Sequence, residues 1–148
     1  MEGRLLRIGW IVMLIVGAFW VFSGIYWMAA HVGGMTAEFE QTAGQSWESF
    51  IAANPAATAD WARMSNVLQG AKQLAAAILI IGITLYAYRK GQTWSWYTLL
   101  AGGLIIFVSM LIHHIIIGAK LIIPIIGLVL LVIGLAVPAK DILTQKAS

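Results

Sequence analysis

The sequence predicts an all-α membrane protein, an antiparallel four-helix transmembrane bundle with a partly helical extracytoplasmic loop between helices 1 and 2. The 148 residues are 61% hydrophobic and 10% charged, with mean hydropathy +0.89, whereas soluble domains carry about 25% charged residues. The apolar residues form four runs, each near the length of about 20 residues that crosses a bilayer as a helix. The charges between these runs indicate one consistent orientation.

The four predicted spans belong to one domain, residues 1–148, and cover residues 8–30, 67–88, 94–117 and 121–137. Arg4 and Arg7 precede the first apolar run as in a signal peptide. That run exceeds the about 7–15 residues of a signal sequence, so we expect a helix there. The short links 89–93 and 118–120 make the later spans antiparallel neighbours. Backbone groups in lipid must be bonded internally, which favours helices, and the runs lack the alternation of membrane strands.

Positive charge in short loops predicts the orientation of a chain with several spans. Arginine and lysine flank the spans in three regions that four spans bring to one side: Arg4, Arg7, Arg89, Lys90, Lys140 and Lys146. The opposite loop, residues 31–66, carries Glu38, Glu40, Glu48 and Asp60 against Arg63. We therefore expect a multi-pass protein of the cell membrane, with cytoplasmic N- and C-termini and an extracytoplasmic loop at 31–66.

The outer loop is predicted to contain a short helix over residues 45–53. Trp47, Phe50 and Ile51 would share one face of that helix, before Asn54-Pro55 ends it. Thr58 is a candidate N-cap for a helix that continues into the second span. The short helix fits an interfacial segment that rests on the lipid headgroups, or a lid over a cavity.

Composition also excludes several classes of function. The chain has no cysteine, which excludes disulfides, thiolate metal sites and thiol catalysis. The sequence pI is near 9.5, but the basic residues flank membrane spans instead of forming a patch, so we expect no nucleic-acid partner. None of the spans contains an acidic residue. This argues against a proton-coupled carrier, such as the small multidrug transporters with their glutamate in the first span.

Small and polar residues recur about every seven positions along each span. The stripes are Gly17, Gly24 and His31 on span one; Arg63, Gly70, Ala77 and Thr84, flanked by Asn66 and Gln73, on span two; Gly102, Ser109 and His113 on span three; and Lys120, Gly127 and Gly134 on span four. Small residues allow membrane helices to approach closely, so these stripes are predicted to face the bundle interior.

The polar ends of these stripes are predicted to converge into an outer-leaflet pocket. Its candidate ligand-binding residues are His31, Arg63, Asn66, Gln73, Ser109, His113 and Lys120. Polar groups inside a membrane are costly, which makes such a cluster a functional hypothesis. The same residues also fit a structural role, because histidine is tolerated at the interface and amides can hydrogen-bond between helices.

Two cofactors are compatible with this end of the molecule. Imidazole and carboxylate groups are ligands of zinc and copper, and the candidate metal ligands are His31, His113, His114, Glu38 and Glu40. Histidines on two helices can also ligate one haem iron, for which His31 and His113 form the candidate pair.

Two functions remain open at this point. The first is an accessory or self-associating subunit that forms a homo-oligomer or joins a larger membrane complex through its small-residue faces. The alternative is a protein that binds a small molecule, a lipid, a metal or haem in the pocket around His31, Asn66, Gln73 and His113. The sequence leaves open whether the protein is an enzyme.

Parts of the sequence resemble two known families. The first helix led by arginine, the outer loop with its proline and the second span, reading LQGAKQL over residues 68–74, are similar in layout to the small bacterial DoxX-like proteins. That similarity implies a comparable four-helix bundle. Arg63-x-x-Asn66-x-x-Gln69 resembles the Arg-x-x-Asn-x-x-Glu signature of small four-helix membrane proteins of eicosanoid and glutathione metabolism. The last position of the signature is Gln here. The segment is predicted to be extracytoplasmic, whereas in that family it lies on the cytosolic side.

Overall fold

All regular structure in the described residues is helical. The computed structural model describes residues 2–29, 39–40, 43–53, 57–116 and 121–144. The helices are α1 (Glu2–Ala29), α2 (Trp47–Ala53), α3 (Ala57–Tyr86), α4 (Thr93–Ile116), α5 (Ile122–Ala136) and α6 (Ala139–Leu143). A 3-10 turn over Tyr88–Lys90 and a left-handed Gly91 (φ 74°) connect α3 to α4.

Three helical stretches within the described residues are long and apolar enough to cross a membrane: Gly3–Ala29, Ala62–Lys90 and Thr93–Ile116. A fourth apolar helix, Ile122–Ala136, is shorter. Large apolar side chains face outwards from all four. Phe22, Ile78 and Ile105, for example, are 70%, 67% and 69% exposed. Such an apolar surface is compatible with a protein surrounded by lipid.

The second predicted span is part of a longer helix. Helix α3 begins at Ala57 and runs without a break to Tyr86. The predicted helix that continues from the preceding segment into the second span is therefore found. Thr58, the predicted N-cap, lies instead in the first turn, because Ala57 is already helical. The short helix predicted over residues 45–53 is found at Trp47–Ala53.

Helix α1 packs directly against α3 and α5 through glycines. A Cβ atom at Gly24 would lie 2.9 Å from the carbonyl oxygen of Gly70, and one at Gly70 would lie 2.5 Å from that of Gly24. Near the start of α1, a Cβ at Gly9 would lie 2.8 Å from the carbonyl oxygen of Gly134. Only glycine allows backbones to approach this closely, so the glycines determine how α1 is seated.

Helix α5 packs against α4 and against the 3-10 turn through glycines and two aromatic hydrogen bonds. Leu131 of α5 fills the space beside Gly103, and Phe107 of α4 fills the space beside Gly127. At the opposite end, the Trp96 indole donates a hydrogen bond to the carbonyl oxygen of Leu135 over 2.9 Å. The fully buried Tyr88 hydroxyl donates to the carbonyl oxygen of Gly134 over 2.6 Å.

The residues of α4 that pack into the core lie about one position from the predicted stripe. The buried residues of α4 are Ser95, Leu99, Gly103 and Phe107, whereas Gly102 is half-buried and Ser109 and His113 are exposed. Two adjacent glycines made the choice of face ambiguous. The structure resolves it in favour of Gly103, because the Leu131 side chain occupies that position. Gly102, Ser109 and His113 lie on the neighbouring face.

A small aromatic cluster lies next to α2. Phe39 stacks edge-on against Trp47, with ring centroids 4.9 Å apart, and lies 4.7 Å from the ring of Phe50. Trp47 is buried, and its backbone N–H donates to Oε1 of Glu40 over 3.2 Å. The carboxylate thus satisfies one of the free N–H groups at the start of this helix.

Candidate functional site

A cavity of about 470 Å³ lies between α1, α3 and α4. Its polar lining comes from α3 and α4, with an indole-bearing wall contributed by Trp20 and Trp27 of α1. The polar residues are Ser65, Asn66, Gln69 and Gln73 of α3 and Ser109, His113 and His114 of α4. The volume lies within the range of about 300–1,000 Å³ that is typical of small-molecule sites.

Helical periodicity explains the polar wall on α3. Asn66, Gln69 and Gln73 are separated by three and four residues, which places them on one face of a helix. Asn66 and Gln73 are only 2% and 8% exposed. The adjacent stripe with Gly70 holds α3 against α1 and turns this amide face towards α4.

The α4 wall is shaped by side chains that hydrogen-bond to their own helix. The Ser109 hydroxyl donates to the carbonyl oxygen of Ile105. Nδ1 of His114 lies 2.8 Å from the carbonyl oxygen of Met110, a contact that requires a proton on Nδ1. In the neutral ring Nε2 is then an acceptor. The rings of His113 and His114 are nearly perpendicular, with centroids 5.8 Å apart.

Two polar atoms of the lining residues are buried and unpaired. Nε1 of Trp20 and Oε1 of Gln73 have no hydrogen-bond partner within the described parts of the chain. Trp20 is 6% exposed and Gln73 is 8% exposed, so water reaches neither side chain freely. An unsatisfied buried donor or acceptor typically costs about 1–3 kcal/mol. The side chains that line the cavity therefore include one unused donor and one unused acceptor, both on atoms with almost no accessible surface in the empty protein.

The structure brings four of the seven predicted ligand-binding residues to this cavity: Asn66, Gln73, Ser109 and His113. Arg63 is exposed and does not line it. His31 and Lys120 lie outside the described residues. His114, which the sequence offered only as a candidate metal ligand, also contributes to the lining.

Sequence reasoning missed Trp20, Trp27, Ser65 and Gln69 as lining residues. Gln69 had a detectable signal, since it falls between Asn66 and Gln73 on the same face. Tryptophan in an apolar span carries no comparable signal, because it fits a lipid-facing or core position equally well. Only the packing of α1 identifies Trp20 as part of the wall.

Those candidate metal ligands that the structure describes do not come together as a metal site. Among the described residues, no group of three or more histidine, aspartate or glutamate side chains is placed to hold a metal ion. Glu40 is bonded to the start of α2, while His113 and His114 line the cavity. His31 and Glu38 lie outside the described residues. Of the candidate haem pair, the structure therefore describes only His113.

A second cavity of about 170 Å³ lies beside the polar cavity and shares Ile106 with it as a lining residue; the two together are called the crevice between α3 and α4. The walls of the second cavity are apolar: Ala76, Leu79, Ile80 and Ile83 on α3, and Leu99 and Gly103 on α4. The space is thus polar near His113 and apolar towards Thr98.

No protein-family model, curated protein or solved structure matches the chain.

Proposed function

We propose that the chain is a membrane protein that binds a small molecule in the cavity between α1, α3 and α4. The observation that carries this proposal is the pair of buried, unpaired groups, Nε1 of Trp20 and Oε1 of Gln73, among the lining residues. Buried polar groups in proteins are nearly always hydrogen-bonded. A ligand that accepts from Trp20 and donates to Gln73 would recover the lost hydrogen-bond energy.

The proposal includes an antiparallel four-span topology with both termini in the cytoplasm. Contacts between helices support the antiparallel arrangement, since Gly24 and Gly17 of α1 meet Gly70 and Ile81 of α3 in reverse order. Helix α5 has only 15 residues, so it would cross with help from its flanking residues. In this orientation the polar cavity opens towards the outer leaflet.

Self-association through small-residue faces gains little support from the structure. Most glycines on which that prediction depended are buried against neighbouring helices of the same chain: Gly17, Gly24, Gly70, Gly127 and Gly134. A Cβ at Gly102 of α4, by contrast, would meet open space among the described residues. Assembly with a partner or a second copy stays a prediction, which the mass of the purified protein in detergent would test.

The direct test is native mass spectrometry of the protein released from mild detergent. Ser109→Phe places a ring at the cavity wall, where the wild-type side chain is exposed. Ala101→Phe is the matched control, because Ala101 is also exposed on α4 but does not line the cavity. We expect wild type and Ala101→Phe to carry a bound small molecule that Ser109→Phe lacks.

Two results would contradict the proposal. One is an adduct that Ser109→Phe retains at wild-type occupancy, which would place the ligand elsewhere. The other is ligand-free wild-type protein that also captures nothing from a solvent extract of its own membranes. Elemental and absorption analysis of the same samples, with His113→Ala alongside, distinguishes an organic ligand from a metal ion or haem.

A further inference from the structure

We infer that the ligand is a single-chain amphiphile with an uncharged, hydroxyl-bearing head, which lies in the crevice between α3 and α4. This inference rests on the proposed function, because it assumes that the polar cavity is a binding site. It adds the chemical class of the ligand and the direction in which the molecule lies.

The crevice itself has the polarity of an amphiphile. Amide, hydroxyl and imidazole groups line the larger cavity, and aliphatic side chains line the smaller cavity that shares Ile106 with it. From Gln73 to Ile83 the walls extend for about 15 Å along α3, at a rise of about 1.5 Å per residue. A molecule with a polar group at one end and an apolar chain at the other matches both parts. A uniformly polar or uniformly apolar ligand matches only one.

The unpaired groups define the head. Trp20 Nε1 requires an acceptor and Gln73 Oε1 requires a donor, and a hydroxyl group supplies both. The described lining contains no lysine, arginine, aspartate or glutamate, so among the described residues only the imidazoles of His113 and His114 are placed to neutralise a full charge. An ionic or zwitterionic head in such a site would lack a counter-charge at low dielectric.

In a membrane, the head determines the selectivity of this site. A hydrocarbon tail is equally apolar in the bilayer and in the crevice, so the hydrophobic effect does not drive it from one to the other. Hydrogen bonds from the head are different, because lipid offers Trp20 and Gln73 no partner. The tail then contributes to selectivity only through its shape, because the cavity wall near Gly102 limits the space for it.

The glycine pair on α4 provides a variant that blocks the tail alone. A Cβ at Gly102 would meet no atom within 4 Å among the described residues, and Gly102 lines the apolar cavity. Gly102→Leu should therefore fill the tail space without disturbing the fold. Gly82→Leu on α3 is the matched control, since a Cβ there also meets open space but Gly82 does not line the crevice.

The test uses the full chain in phosphatidylcholine nanodiscs and a monoacylglycerol that carries a diazirine in its acyl chain. After illumination, peptide mass spectrometry maps the attachment points. We expect attachment to the buried crevice residues Ile80 and Leu99, and competition by monooleoylglycerol but not by methyl oleate, which has the same chain and no hydroxyl. Gln73→Leu and Gly102→Leu should each lower capture about tenfold, and Gly82→Leu should not. Trp20→Phe, which removes the indole donor and keeps an aromatic ring at that position, replaces Gln73→Leu if that variant fails to fold.

Three outcomes would overturn the inference. If methyl oleate or lysophosphatidylcholine competes as well as monooleoylglycerol, the site does not recognise a neutral hydroxyl head. If attachment falls equally in Gly82→Leu and Gly102→Leu, the tail does not lie in the crevice. If the probe attaches nowhere in the crevice, the ligand is of another class. In each case the proposed function stands or falls separately, on whether Ser109→Phe loses the small molecule that the wild type carries.

Discussion

A structural role and a binding role for Gln73 predict opposite effects of Gln73→Leu on the free energy of unfolding. Oε1 of Gln73 is buried without a hydrogen-bond partner, so the empty protein bears the free-energy cost of burying an unsatisfied polar group. Gln73→Leu keeps a similar size and removes that cost. We expect the ligand-free variant to gain about 1 kcal/mol in the free energy of unfolding, measured by denaturant unfolding in mild detergent, while it loses ligand.

Gln69→Leu is the control for this change, because Gln69 lies on the same face but is exposed. A Gln73→Leu variant that is less stable than wild type when ligand-free would show that the amide holds the helices together. The residue would then be structural, and the main support for the proposed site would be lost.

Tyr88 illustrates a polar residue whose role is structural. Its side chain is fully buried, and its hydroxyl donates to the carbonyl oxygen of Gly134. We expect Tyr88→Phe to lower the free energy of unfolding by about 1 kcal/mol through loss of this hydrogen bond. Tyr97→Phe, at a position 56% exposed, should change it little. Equal stability of Tyr88→Phe and wild type would contradict the assignment.

The sequence located the amide pair Asn66 and Gln73 because two polar residues seven apart in an apolar span are conspicuous. It could not locate Trp20, whose importance comes from an unpaired N–H that only the packed structure reveals. It also grouped Arg63 with them, although that side chain is exposed. Long basic side chains extend towards water, so helical phase alone does not place them in a pocket.

At the scale of the helices, the contact between α1 and α3 depends on Gly24 and Gly70. A Cβ at Gly70 would overlap the Gly24 carbonyl oxygen and the backbone of Met28. We expect Gly70→Val to push the helices apart and to cost about 1–3 kcal/mol, as overpacking does elsewhere. The free energy of unfolding in detergent measures this cost.

Ala71→Val is the control for Gly70→Val, since Ala71 is the next residue on the same helix and is exposed. Equal losses in the two variants would mean that the effect comes from the β-branched side chain and not from the contact with α1.

Sequence periodicity predicted most of the helix faces but not all of them. Glycines seven apart identified the packed faces of α1 and α5, where Gly17, Gly24, Gly127 and Gly134 are buried. On α4 the adjacent Gly102 and Gly103 offered two phases. The choice depends on Leu131 of a different helix, which no pattern within α4 contains.

At the scale of the whole molecule, the proposed orientation predicts which loops meet the outside. The chain has no natural cysteine, so single cysteines report without background. Cysteines placed at Ser49 and at Gln92, both exposed, should react with a membrane-impermeant maleimide from opposite sides of the membrane. Labelling of both from the same side in sealed vesicles would contradict the four-span topology.

The helical, apolar character of the whole chain followed from its composition and its four apolar runs. The arrangement that creates a cavity did not, because it depends on how three helices leave space between them. Glycines allow α1 to pack closely against α3 and α5, and the crevice between α3 and α4 is the space left between the helices. Its polar end was predictable as a cluster of residues, but its volume and its apolar continuation were not.

The indole signal of Trp20 offers the most direct measurement of whether the cavity is a binding site. In protein labelled with ¹⁵N-tryptophan, Trp20→Phe identifies that signal among the seven tryptophans. The protein is stripped of small molecules, and a solvent extract of its membranes is then added back. We expect the Trp20 N–H resonance to move downfield as a hydrogen bond forms, in wild type but not in Ser109→Phe. A Trp20 resonance that stays in place, while mass spectrometry shows a bound molecule, would mean that the ligand lies elsewhere.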